Sequence, residues 1–178
     1  MLESSKIYFL SSILIISLNL PWQNYKNEVG KFSVSVPAPV KETTSKIKTV
    51  TGELVYHQFV CKTISKNDGK ILYTINYCDY PLGTFPKDST DLREEFYKAT
   101  IESSMDVIKG TVAYQDNILQ QEYSGKIWRV DFNKVTAHIK SKCFLIGDRF
   151  YLLQIIVANN EKNDPNADKF FDTFFVQL

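Results

Sequence analysis

The chain has 178 residues and 44% hydrophobic content, enough for one domain with a sizeable core. Its 21 basic and 20 acidic residues leave a net charge of +1, which excludes the concentrated basic face of a nucleic-acid binder and a polybasic membrane-surface segment. Aromatic content of 13% favours a sheet-rich fold, and 23% charged residues argue against disorder.

The N-terminal run "KIYFLSSILIISLNLP" has one basic residue, Lys6, followed by an apolar stretch over residues 7–20 broken only by Ser and Asn. That layout predicts a secretory signal peptide. As a helix it spans about 21 Å against roughly 30 Å of hydrocarbon, short for a permanent span. No A-x-A cleavage pattern is present, and Ser17 and Asn19 are the smallest residues near its end. An uncleaved anchor is therefore the alternative. Residues 1–21 are assigned to this signal or anchor and residues 22–178 to a single domain. The expected location is periplasmic or secreted, with membrane contact only through the N-terminal segment if it stays uncleaved.

"GKFSVSVPAPV" alternates Phe32, Val34 and Val36 with Ser33 and Ser35, a half-buried strand stopped by Pro37. Residues 43–50 are rich in β-branched types, and "ELVYHQFVCKT" continues the pattern. "SKNDGK" holds Asp68-Gly69, a turn signal, and "ILYTINYCDY" is the returning strand of a hairpin.

"PLGTFPKDST" is a loop. The main helix follows over residues 91–110, with Asp91 and Glu94 as a capping box or Asp88 or Thr90 as the cap. Its apolar residues are Leu92, Phe96, Ala99, Val107 and Ile108, and Gly110 is its stop.

"TVAYQDNILQQEY" and "KIWRVDFN" read as strands joined at Ser124-Gly125. "VTAHIKSKCFLI" and "RFYLLQIIVAN" flank a two-residue turn, Gly147-Asp148, with Gly where a type II′ turn needs it. The apolar run "RFYLLQIIVA" reads as a strand buried on both faces. A last helix is predicted to start at Asp164 and Pro165, with Phe170, Phe171 and Phe174 sharing a face. Strands, helix, strands, helix in this order give an α+β class, a central antiparallel sheet with helices on both faces.

No G-x-S-x-G, phosphate-cradling Gly-rich loop, C-x-x-C or paired-His pattern occurs, so no metal and no cofactor is expected. Cys61, Cys78 and Cys143 are odd in number and imply no disulfide framework. A tight turn centred on Asn67 and Asp68 places Cys78 opposite His57, a candidate thiol–imidazole pair, and Cys61 opposite Thr74. A turn one residue longer moves His57 to the other face. Asp79, Asp131 and Asp148 are the carboxylates nearest apolar runs, with bonds to turns or helix ends as their ordinary use. His138, Lys140 and Lys142 share one face of a strand and are candidates for an anion or partner patch, against a solvated or Lys-protected strand.

The segments "KFSVSVPAPVKE", "YTINYCDYP", "LIGDRFYLLQI" and "KFFDTFFVQL", in this order, resemble small secreted bacterial proteins of the PsbP-like superfamily, relatives of the photosystem II extrinsic subunit PsbP. The resemblance covers residues 25–178. Residues 147–151 stand where such proteins carry a similar turn followed by an aromatic. Phe171-Asp172-Thr173-Phe174 looks like their closing helix, with Thr where Ser is frequent. The resemblance implies an α/β/α sandwich and an accessory or binding module in place of an enzyme. The expectation is thus a non-enzymatic exported domain that binds an envelope protein. The alternatives are a small-molecule or lipid binder with a pocket between sheet and helix, and a thiol enzyme or hydrolase around Cys78 and His57.

Overall fold

A computed structural model of the chain describes residues 21–49, 52–64, 70–132, 134, 136–158 and 166–177. The N-terminal apolar run, the Asp68-Gly69 turn and the Asp164-Pro165 helix start lie outside the described residues. In chain order the elements are β1 (Gln23–Asn27), β2 (Phe32–Val36), β3 (Val40–Thr49), β4 (Gly52–Ile64), β5 (Lys70–Asp79), α1 (Thr90–Ile108), β6 (Thr111–Gln120), β7 (Tyr123–Phe132), β8 (Ala137–Ile146), β9 (Arg149–Val157), α2 (Ala167–Asp172) and β10 (Phe175–Val176). The strands form two antiparallel sheets, a seven-stranded one ordered β3-β4-β5-β9-β8-β7-β6 and a three-stranded one ordered β1-β2-β10.

Period-2 alternation sorts the large sheet's side chains into two cores. Tyr73, Ile75 and Tyr77 of β5 and Tyr151, Leu153 and Ile155 of β9 pack with Phe32, Val34 and Val36 of β2 and with Phe170, Phe171 and Phe174. The opposite face carries Cys78, Trp128, Cys143, Leu145 and Phe150, which pack with Tyr97 and Ile101 of α1. The expected cover of helices on both faces is met only in part. One face lies under α1; the other lies mainly under the three-stranded sheet, to which the six-residue α2 is a small addition. The sequence hid this because β1, β2 and β10 are short and come from opposite ends of the chain. In β9, Tyr151, Leu153, Ile155 and Val157 are buried, whereas Leu152, Gln154 and Ile156 are half-buried.

α1 differs from its predicted form at both ends and along its face. Its N-cap is Ser89, which makes no side-chain capping bond. The start is held instead by Arg93, whose guanidinium donates to the carbonyls of Leu145 at 3.0 Å and Phe85 at 3.2 Å. The left-handed residue at the C-terminus is Lys109 (φ 50°), and the Gly110 N–H donates to the Met105 carbonyl at 3.1 Å. Tyr97 and Ile101 are buried, and Phe96, Met105 and Ile108 pack half-buried beside them, so Phe96 and Ile108 stand as expected, while Leu92 is 40% and Val107 80% exposed and Ala99 is exposed too.

Three hydrogen bonds, made through Tyr97 and Trp128, fix α1 on the sheet. Tyr97 Oη donates to the Ser124 carbonyl (3.2 Å) and accepts the Leu145 N–H (2.9 Å), and Trp128 Nε1 donates to Ser104 Oγ at 3.0 Å.

The turn between β6 and β7 is Gln121-Glu122, both with positive φ (50° and 71°), and not Ser124-Gly125. Gly125 is needed for a different reason. A Cβ there would sit 2.2 Å from the Cys143 carbonyl oxygen and 2.7 Å from the Phe144 ring, so the strand approaches β8 more closely than any side chain allows. Gly147-Asp148 does form the two-residue turn between β8 and β9, with Gly147 at φ +59°.

Candidate functional site

The pairing of β4 with β5 places Tyr56 opposite Cys78 and His57 opposite Tyr77. This is one residue from the tight-turn register, so His57 and Cys78 point to opposite faces and form no thiol–imidazole pair. Cys61 faces Tyr73, not Thr74. All three cysteines are free and buried. Burial, reinforced by the Asp79 carboxylate, pushes the Cys78 thiol up to about 11. Burial pushes Cys143 up to about 12 and also raises Cys61, whose thiol donates to the Ala38 carbonyl at 3.2 Å. Protonated, water-excluded thiols are poor nucleophiles.

His57 stacks on Tyr77 with ring centroids 4.4 Å apart and planes 6° from parallel. The Arg149 guanidinium lies 4.8 Å from the centroid of the same tyrosine ring. Arg149 also holds Asp79 through two bonds, 2.5 and 2.7 Å, and donates to the Val29 carbonyl at 2.9 Å. Asp79 is thus a cross-strand ion-pair partner and not the loop-binding group expected. Asp131 is paired with Arg129 at 2.6 Å. Asp148 accepts the backbone N–H groups of Gly83 and Phe85, each at 2.8 Å, which is the turn-holding role expected of it. Among the described residues, no group of three or more His, Cys, Asp or Glu converges.

His138, Lys140 and Lys142 do lie on one face of β8, but that face is covered by α2. Lys142 is only 6% exposed; its ammonium donates to Gln120 Oε1 at 2.8 Å, stands 3.5 Å from Asp172 and lies over the Phe171 ring. Burial lowers the Lys142 pKa, against the Asp172 carboxylate that raises it. Lys140 pairs with Asp168 at 3.4 Å over the same ring, and His138 is 7% exposed. Gln120 then donates to the carbonyls of Phe171, Asp172 and Phe174, closing the C-terminal end of α2. Lys140 and Lys142 thus anchor α2 through Asp168, Asp172 and the Phe171 ring, and His138 is buried on the same strand face.

The open site lies elsewhere. Between α1 and β6 is a cleft of about 920 Å³. Ile101, Met105 and Val112 supply its apolar surface. Glu94, Glu95, Lys98 and Glu102 line the helix side, and residues 114–117 with Lys126 line the sheet side. Lys126 bonds Glu94 and Asn117 Oδ1, each at 2.5 Å, and Lys98 stands 3.9 Å from Glu102. Glu95 and Asp116 have no ion pair among the described residues. Along this cleft runs β6, the last strand of the large sheet.

Of these residues only Glu94 stood out in the sequence, as a capping-box residue and not as part of a site. A signal did exist: β6, "TVAYQDNILQ", has one charged residue in ten, whereas the opposite edge β3, "VKETTSKIKT", has four. Among the described residues, no helix is long and apolar enough to cross a membrane.

No protein-family model and no curated protein matches the chain. Among solved structures, the chain is similar to the solution structure of cyanobacterial PsbP (CyanoP) from Synechocystis sp. PCC 6803, with a TM-score of 0.54 and 12% sequence identity. The match covers 94% of this chain and 98% of that one. With two antiparallel sheets, one under α1 and the other side closed by β1, β2, β10 and α2, the chain has a PsbP-like fold.

Proposed function

We propose that the protein is a non-enzymatic accessory domain, exported through its N-terminal apolar segment, that binds another protein in the cleft between α1 and β6. The observation that carries this reading is the cleft itself, about 920 Å³, open along a sheet edge and lined by charged as well as apolar side chains. A pocket that sequesters a lipid or small molecule is typically enclosed. This one runs along an exposed strand, a geometry suited to a polypeptide. The non-enzymatic part rests on the buried, protonated thiols, the split of His57 from Cys78 and the ion-paired or turn-bound carboxylates. A fold alone is a weak warrant for function, so the partner's identity must come from experiment.

The test is a photo-crosslinking amino acid placed at Gln115 in the cleft, with two exposed positions, Val29 in the turn between β1 and β2 and Phe175 in β10, as comparison sites. The expected result is one discrete protein adduct from Gln115, absent from Val29 and Phe175 and lost when Glu95→Lys is added. Equal adducts from all three positions, or none from Gln115, contradict the proposal.

A further inference from the structure

We infer that the cleft takes its partner by strand addition: an extended segment bearing alternating Lys or Arg and apolar residues pairs through its backbone with β6 and extends the seven-stranded sheet. This rests on the protein-binding reading above and gives it a mode and a ligand chemistry.

An edge strand presents a row of unpaired N–H and C=O groups, and proteins blunt such edges with charges, bulges or cover. β3 follows that rule, with Lys41, Glu42, Lys46 and Lys48 along ten residues. β6 carries Asp116 alone. Its one irregularity falls between Val112 and Tyr114, which leaves residues 114–120 in regular register against β7. Leu119 on this strand is 73% exposed. A long edge left unprotected beside a cleft, on a sheet whose other edge is guarded, is the arrangement that strand-adding recognition domains use.

The charge pattern selects the ligand. An added strand projects successive side chains to opposite faces of the sheet. On the α1 face, where Gln115 and Asn117 share a side with Trp128 and Lys126, it meets Glu95 together with the apolar surface of Ile101 and Met105. On the other face, where Tyr114 and Asp116 share a side with Arg129 and Ile127, it meets Asp116. The two cleft lysines are already engaged by Glu94 and Glu102, so the carboxylates without ion pairs, one toward each face, are complementary to basic side chains.

The probe is a fluorescent ten-residue peptide of alternating Lys and Ile, with two comparison peptides, one with Glu in place of Lys and one N-methylated at alternate backbone nitrogens. Fluorescence anisotropy should show binding by the Lys peptide only. Glu95→Lys with Asp116→Lys, both exposed positions, should weaken it at least about tenfold. Amide hydrogen exchange of residues 114–120 should slow in the complex. Equal binding of the Glu or N-methylated peptide, or binding that leaves exchange at 114–120 unchanged, overturns strand addition. If a Gln115 crosslink to a protein persists while β6 exchange does not slow, strand addition fails and the protein-binding reading stands. If the crosslink is absent, the protein-binding reading fails first.

Discussion

Tyr97→Phe probes the contact that sets the position of α1, and with it the width of the cleft. The Tyr97 hydroxyl is inserted at the sheet, donating to the Ser124 carbonyl and accepting the Leu145 N–H. Its removal has two consequences of different size. Ser124 is exposed, so its carbonyl regains a water partner at little cost. Leu145 is 4% exposed, so its N–H is left buried without an acceptor, which costs about 1–3 kcal/mol. The ring itself stays, so no cavity term is added. The sum is about 2 kcal/mol, equivalent to a Tm lower by roughly 4–8 °C for a domain of this size. Urea unfolding followed by Trp128 fluorescence gives the value, provided the m-value is unchanged. A loss below about 0.5 kcal/mol would mean that the Leu145 N–H has another acceptor, and the account of how α1 is fixed would be wrong.

Other outcomes follow from the same geometry. Because burial lifts the Cys78 thiol from 9.0 to about 11, the folded chain keeps a proton that the unfolded chain loses; stability is full below pH 9 and falls as pH rises from 9 toward 11. Urea unfolding across that window should show Cys78→Ala flattening the fall by up to about 1.4 kcal/mol per pH unit, and an unchanged slope contradicts the assignment. Gly125→Ala forces a Cβ into the Cys143 carbonyl and should cost about 3 kcal/mol or more by the same assay. Gly147→Ala meets no atom within 4 Å and bears only the strain of φ +59°, about 1–2 kcal/mol, so the order of the two variants is the check. Gln120→Ala removes the 2.8 Å acceptor of the Lys142 ammonium, leaving it Asp172 at 3.5 Å, and opens the end of α2; hydrogen exchange at residues 170–174 should quicken, with a stability loss of about 1–3 kcal/mol.

The strands were legible because burial on one face writes period-2 alternation into the sequence, as in Phe32, Val34 and Val36. Turn chemistry was legible at Gly147-Asp148, where glycine serves the backbone angle, and misleading at Gly125, where it serves close approach. The actual turn at Gln121-Glu122 uses non-glycine residues at positive φ and left no local mark. The α1 face was legible only in part, since Leu92 and Val107 extend the apolar pattern as well as Tyr97 and Met105 do, and only the sheet decides which stripe is covered. The His57–Cys78 pairing failed on one residue of register, which alternation cannot fix when both faces carry apolar residues. Lys142 was placed on the right face, but its burial depends on α2, thirty residues away along the chain. The cleft joins a helix and an edge strand through tertiary packing, so the sequence held only the charge contrast between β3 and β6.

The most direct test of binding through the α1–β6 cleft is chemical-shift mapping of the labelled chain titrated with the protein captured at Gln115. Shifts concentrated in residues 94–105 and 111–120 are the predicted result. Shifts concentrated in β1, β2 and β10, with the cleft unchanged, would contradict it.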